Sequence, residues 1–314
     1  MTIALADLQE AIQNTQKLTS LQDYYQICRK FLDLIPKTQI QRIVSQNRNN
    51  YIFYQYHQTT HFQITRPINT RLFIETVQDF DNAWQQFLFF LAELRHYQEQ
   101  ITCLPSVNAY LSASAINKLV YTVQQAIGCI SDSLPNPNQA RKRVGQLFEL
   151  LIKLIIQEIG WVCESRTVSI PIPYYPDISI SYELDLVFSR QHTIVDPEPR
   201  FINPNEIVGS VKTTSKDRID KIFLDKYLLT KLLGRNIPVV AIFLHDVQRS
   251  RIGNNDFGVN STFKSNHFLG YTIALNQLDG VYYVDTETVF SDRLRNYISD
   301  FQSFLVRDLW RLSK

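Results

Sequence analysis

The run Ile237-Pro-Val-Val-Ala-Ile-Phe-Leu244 contains no polar side chain. A strand this uniformly apolar must be covered on both faces, so it belongs inside a sheet, beside parallel neighbours, with helices packed against it. The upstream sequence supplies those elements. Ala140–Ile159 has helical periodicity and is stopped by Gly160 as a C-terminal cap. Val162–Ile170 reads as a strand ending at Pro171-Ile-Pro173, Tyr182–Phe188 as the next and Ile207–Lys212 as the third. Asp217–Leu233 is an amphipathic helix, with Ser215 as its N-cap and Gly234 closing it. The order helix, three strands, helix, strand predicts an α/β chain of mixed α+β type, a mixed sheet flanked by helices.

Residues before about 140 have a different texture, rich in Gln, Asn and Tyr and without glycine until Gly128. Leu8–Thr15, Leu21–Leu34, Thr76–Glu99 and Ala113–Ile127 fit amphipathic helices. Tyr51–Tyr56 and His61–Thr65 read as strands, the second ended by Pro67. Ser133-Leu-Pro-Asn-Pro-Asn138 is the clearest break. The expected division is a mainly helical region over residues 1–138 and a second domain over 139–314. The polar, glycine-bearing stretch His245–His267 reads as a long loop, and Asp292–Lys314 as an amphipathic helix.

The 314 residues carry a net charge of +2, so any nucleic-acid surface must be a local cluster. Cys28, Cys103, Cys129 and Cys163 are scattered, which reads as free thiols in a reducing compartment. The N-terminus lacks the basic start and apolar core of a signal peptide, and Phe87–Ala92 and Leu150–Ile156 are too short or interrupted to span a bilayer. The expectation is a soluble, cytoplasmic protein with no membrane partner. His57 and His61 have i, i+4 spacing but lie in strand-like sequence without the acid of a zinc-protease motif.

Alternation brings the chemistry-bearing residues together. Val208, Ser210 and Lys212 share one face of their strand. On the strand before it, Glu183, Asp185 and Val187 oppose Tyr182, Leu184, Leu186 and Phe188. If the apolar face packs inward, the acids can meet Lys212. A lysine beside a carboxylate in a partly buried sheet can help hold an activated water beside a phosphate; an ordinary salt bridge would use the same residues.

This arrangement resembles the PD-(D/E)xK nuclease superfamily, and in particular its type II restriction endonucleases. The family core is a helix, a three-strand meander, a helix and a strand, which residues 140–245 match in order. Its first helix often carries a glutamate, and Gly145-Gln-Leu-Phe-Glu149 looks like that helix. The resemblance makes Asp185 the strand acid and Lys212 the catalytic lysine. The literal Pro176-Asp177 is a competing match in a Pro/Tyr-rich turn, so Asp185 is preferred. Lys212-Thr-Thr-Ser-Lys-Asp-Arg218 is similar to a pattern in the EcoRII-like branch, which adds Arg218 as a phosphate-contacting residue. An ApaLI-like enzyme is a further general resemblance.

One departure stands out: the family usually has an acid two residues before the lysine, and here that residue is Ser210. Glu149 or Glu183 could supply the missing charge. The resemblance implies Mg²⁺ held by Asp185 and Glu149, Lys212 orienting the attacking water, and Arg218 stabilising developing charge. It implies double-stranded DNA as substrate, 5′-phosphate and 3′-hydroxyl products, and a homodimer for cutting both strands. DNA contacts are expected from Lys216, Arg249, Arg251, Asn254, Asn255 and Lys264, the last five in the stretch after Leu244. A repair or mobile-element nuclease, or an inactive DNA-binding protein that lost the acid at Ser210, would share the same core.

Overall fold

The computed structural model describes residues 3–14, 18–38, 40–57, 62–190, 202–253 and 256–313. The chain forms two compact units. The first comprises Met1–Phe90, Ser106–Leu151 and Asp246–Thr262; the second comprises Leu91–Pro105, Ile152–His245 and Phe263–Lys314.

In the first unit, helices α1 (Ile3–Gln13) and α2 (Leu21–Lys37) precede an antiparallel sheet of β1 (Gln41–Val44), β2 (Tyr51–His57), β3 (Phe62–Ile64) and β4 (Ile68–Asn69). After α3 (Val77–Tyr97) and α4 (Pro105–Ser112) comes α5 (Ala115–Asp132), almost wholly buried. Some buried polar groups on α5 find partners on other segments, while Gln124 Oε1, Gln125 Oε1 and Ser131 Oγ have none among the described residues. Gln124 donates to the Val144 carbonyl at 3.0 Å, and the Tyr121 hydroxyl accepts from the Asn69 N–H at 2.8 Å. Tyr51–Tyr54 and Tyr56 are buried, so this aromatic strand is core. Helix α6 (Pro137–Glu158) begins three residues before the expected Ala140, because Asn136 caps it by accepting from the N–H groups of Asn138 and Gln139.

The second unit holds a six-stranded mixed sheet of order β12-β11-β8-β7-β6-β5. Its strands are β5 (Val162–Ile172), β6 (Tyr175–Ser189), β7 (Ile207–Thr214), β8 (Val239–His245), β11 (Gly280–Tyr283) and β12 (Ile298–Asp300). β5, β6 and β7 are antiparallel, whereas β7, β8, β11 and β12 run parallel. The apolar run thus becomes β8, buried throughout and paired in parallel on both sides, as its composition requires. Helices α7 (Ile219–Leu233) and α8 (Ser265–Ala274) cover one face through Ile222, Phe223, Leu229 and Phe268. On the other face Phe188 packs edge-on against Phe304, and Trp161 edge-on against Trp310.

Several local expectations are corrected. The stretch after β8 is not one long loop: it folds into the hairpin β9 (Val247–Arg251) and β10 (Phe257–Ser261), then enters α8. The C-terminal helix starts at Phe301, after Ile298 has joined the sheet, and runs as α9 (Phe301–Ser303), a wider π turn (Phe304–Asp308) and α10 (Leu309–Leu312). Asp177 lies within β6 rather than in a turn. No helix among the described residues is long and apolar enough to cross a membrane.

Candidate active site

β6 does not keep a simple alternation. Glu164 faces Val187 while Arg166 faces Leu184, so β6 has one residue more than β5 in this interval. That bulge, at Asp185 and Leu186, reverses the faces beyond it. Tyr182, Leu184 and Val187 therefore share the core under α7, while Phe188 packs toward Trp161 and Phe304 on the opposite side. The expected common face of Tyr182, Leu184, Leu186 and Phe188 does not form.

The bulge coincides with the point where two strands separate. β6 and β7 are paired only at Leu186–Gly209, Val187–Val208 and Phe188–Ile207. Past Gly209, β7 continues along β8 and leaves β6 on one side. Asp185 fills the opening. Its Oδ2 accepts from the Val211 N–H at 3.0 Å, a donor that has lost its ladder partner, and from the Ser210 hydroxyl at 3.2 Å. The Lys212 ammonium completes the set at 2.5 Å. Gly209 is needed where the strands part, since a Cβ there would lie 2.9 Å from the Phe188 ring.

A cleft of about 540 Å³ opens at this split, lined among others by Glu183, Asp185, Ser210, Lys212, Arg218 and Asp225. Asp225 was not anticipated from the sequence. It projects from α7, where Arg218, Ile222, Asp225 and Leu229 recur at helical spacing; that stripe, read with the lysine strand just before it, is the signal that could have found it. Burial raises the Asp225 carboxyl above the ordinary aspartate range. The Lys221 ammonium opposes this shift, the Asp185 carboxylate adds to it, and Lys212 opposes it.

Helix α7 is held in register from behind. The Lys226 ammonium, almost fully buried, donates to Asp279 Oδ2 at 2.7 Å and to the Gln277 carbonyl. Asp279 Oδ2 also accepts from the Val239 N–H at 2.6 Å, tying α7 to the first residue of β8. At the helix start, the Ser215 carbonyl accepts from the N–H groups of Arg218 and Ile219. Arg218, not Ser215, occupies the N-cap position, and Asp217 takes a left-handed φ of 53° in the turn before it.

The remaining expected residues are distributed as follows. Lys216 is exposed in the turn before α7. Glu183 is exposed on the cleft wall, and Asp177 lies exposed toward the hairpin tip, away from the cleft lining. Glu149 is half-buried on the part of α6 counted with the first unit. Arg249 and Arg251 are on the hairpin in the first unit, and Lys264 precedes α8 in the second. Asn254, Asn255 and His61 fall outside the described residues.

Among the described residues no group of three or more His, Cys, Asp and Glu side chains stands ready to hold a metal. Asp185 and Asp225 together offer a different donor set: two hard carboxylates at one cleft, with Asp185 Oδ1 outside its three hydrogen bonds. That set fits Mg²⁺, which commonly binds one or two carboxylates and fills its remaining positions with water and phosphate oxygen.

No protein-family model matches the chain, and no curated protein matches it. Among solved structures, the Type IIP restriction endonuclease Kpn2I is similar at a TM-score of 0.69 and 16% identity, over 98% of this chain and 97% of that one. A complex of the restriction endonuclease PspGI with substrate DNA aligns at a TM-score of 0.40 and 13% identity, over 63% of this chain and 80% of that one. The chain has the mixed α+β fold of a restriction endonuclease.

Proposed function

We propose that this chain is a type II restriction endonuclease that hydrolyses phosphodiester bonds of double-stranded DNA at a specific short site. The observation that carries the reading is the meeting of Asp185, Lys212 and Asp225 at the opening between β6 and β7. The restriction-endonuclease fold along nearly the whole chain supports it. The segment Lys212–Arg218 favours an EcoRII-like arrangement of lysine and arginine.

Asp185 and Asp225 are the residues that would hold Mg²⁺, with Glu149 a further candidate from the family resemblance. When bound, the ion supplies charge stabilisation at the phosphoryl oxygens. The chain's own groups do the rest. In hydrolysis a water oxygen bonds to phosphorus as the bond to the 3′ oxygen breaks, leaving a 5′-phosphate and a 3′-hydroxyl. The Lys212 ammonium, fixed by Asp185, orients the attacking water and offsets developing negative charge. Arg218 is exposed at the start of α7, where a guanidinium and the first helical N–H groups can face a phosphate together. Ser210 leaves β7 without a carboxylate, and Asp225 supplies one from the helix instead.

Incubating the purified chain with plasmid DNA, in Mg²⁺ or in EDTA, tests the proposal. Discrete Mg²⁺-dependent fragments support it. Smears or nicks indicate a nuclease without site preference, and a gel shift without cutting indicates a DNA-binding protein. A homodimer is expected, because one two-fold assembly places a site on each strand of a palindrome.

A further inference from the structure

The hairpin β9–β10 has two unlike faces. Val247, Arg249, Phe257 and Val259 turn toward β2, where Val247 and Val259 share a core with Tyr51 and Phe53. Arg249 is committed to this inner side. Its guanidinium donates to the Ile64 carbonyl at 2.5 Å and lies 5.7 Å from the centre of the Phe257 ring. It therefore braces the hairpin.

The outer face carries Gln248, Ser250 and Asn260, with Gln248 directly opposite Asn260 across the two strands. Both carboxamide residues are exposed. The ribbon beneath them is fixed at several points. The Asn47 side chain brackets Val259, donating to its carbonyl at 3.0 Å and accepting from its N–H at 2.8 Å. The buried Asp246 carboxylate accepts from the Ser261 hydroxyl, the Thr262 N–H and the Thr262 hydroxyl, at 2.8 to 3.0 Å. The Gln46 N–H reaches the Phe257 carbonyl at 3.0 Å, which joins the β1–β2 loop to the ribbon.

That loop, Ser45-Gln-Asn-Arg-Asn-Asn50, has one cation and no acid. With Arg48 on the loop, the combined surface offers a guanidinium group beside two rigidly mounted carboxamides. Arg251 pairs with Phe257 on the inner side, and its Nε donates to the Gly253 carbonyl at 3.1 Å. The acid of the hairpin, Asp256, sits at its turn. A two-stranded ribbon has the width of the DNA major groove, and Asn or Gln can donate to and accept from one adenine edge at once. Fixed polar groups on a braced strand suit base reading, since a reader that must first be ordered loses affinity.

We infer that the outer face of the β9–β10 ribbon and the adjoining β1–β2 loop form a surface that reads duplex DNA. Gln248 and Asn260 contact base edges, and Arg48 contacts a flanking phosphate. This assignment rests on the endonuclease reading and names residues that determine its specificity.

The test uses the full chain carrying Lys212→Ala, which binds without cutting, and two fluorescent duplexes. One duplex carries the site mapped from wild-type digestion, the other the same bases scrambled. Gln248→Ala and Asn260→Ala should each weaken binding to the mapped site about tenfold or more while leaving the scrambled duplex within about twofold. Arg48→Ala should weaken both duplexes alike and lower the salt slope by about one. Gln248 and Asn260 are exposed and Arg48 half-buried, so unchanged melting temperatures verify folding. If the wild type cuts at a site and all three variants bind and discriminate as it does, this surface is wrong while the endonuclease reading stands. A wild type that cuts without site preference overturns the roles of Gln248 and Asn260. A wild type that binds no DNA overturns both proposals.

Discussion

The Ser210 hydroxyl donates to Asp185 Oδ2 at 3.2 Å. A serine thus stands where a third-strand acid was expected, and it supports the neighbouring strand's acid instead of adding charge. Asp185 Oδ2 already takes the Lys212 ammonium and the Val211 N–H. A second carboxylate at Ser210 would face Asp185 at hydrogen-bond range, where like charges repel. A carboxylate also reaches the cleft from α7, through Asp225.

Lys212→Ala and Asp185→Ala should each lower Mg²⁺-dependent plasmid cleavage by about 10³-fold or more, with circular dichroism unchanged. Lys212→Ala leaves Asp185 with its Ser210 and Val211 donors, so loss of cutting without loss of fold would isolate the role of the ammonium. Full activity in both variants would remove the site assignment.

Asp225→Asn should separate function from stability. The Asp225 carboxyl titrates above its ordinary value in the folded chain, so the native state holds that proton more tightly than the unfolded state. Its stabilising contribution is present below the ordinary aspartate value of 3.8 and is lost as pH rises through the raised folded value. In EDTA at neutral pH, the variant should melt above the wild type, and the gap should narrow as the pH approaches 4. Cleavage in Mg²⁺ should fall by about 10²-fold or more. A variant that cuts normally would remove Asp225 from the site.

Gly209→Ala should cost about 1–3 kcal/mol by urea denaturation. The new Cβ would meet the Phe188 ring at 2.9 Å and the Leu186 Cβ at 3.4 Å. That ring is held between Trp161 and Phe304, so it has little room to retreat. Because Gly209 is the last paired residue before Ser210, cleavage should fall along with stability. An unchanged midpoint would show that the aromatic cluster yields.

Asp132→Ala should destabilise the chain by about 1–3 kcal/mol, the cost of leaving the half-buried Arg66 guanidinium without its carboxylate. Asp132 accepts from the Arg66 N–H at 2.8 Å and from two guanidinium nitrogens at 2.9 and 2.8 Å. Gly128→Ala should act on the same group, since its Cβ would fall 2.5 Å from Arg66 Nε. Thermal unfolding of both variants checks this. A shift under about 1 °C in either would show that Arg66 finds another partner.

Lys226→Met tests the clamp behind the site. It removes the bonds to Asp279 and Gln277 while keeping the buried volume of the side chain. The Mg²⁺ concentration giving half-maximal cleavage should rise about tenfold, with the affinity for DNA in EDTA unchanged. An unaltered Mg²⁺ requirement in a folded variant would make Lys226 purely structural.

Local periodicity was enough to identify β8, because an uninterrupted apolar run can satisfy its environment only inside a parallel sheet. It was also enough to aim Ser210 and Lys212 to one side of β7, since a two-residue repeat fixes side-chain direction within an undisturbed strand. Four features depended on partners distant in sequence. The bulge at Asp185 exists only against β5, and it reversed the alternation past Leu184. Asp225 lines the cleft because α7 packs over the sheet and Lys226 ties it to Asp279. The hairpin at 247–261 has too little apolar alternation to announce itself, and forms because Tyr51, Phe53 and Asn47 receive it. Ile298 left the expected terminal helix because the edge of β11 offered backbone partners. Sequence alone determined which segments must be buried and which face each short repeat presents, since both follow from nearest neighbours along the chain. The tertiary structure decided where strands part, which helix supplies the second acid and which polar face stays outside. Those outcomes depend on hydrogen-bond partners and packing surfaces that only folding brings together.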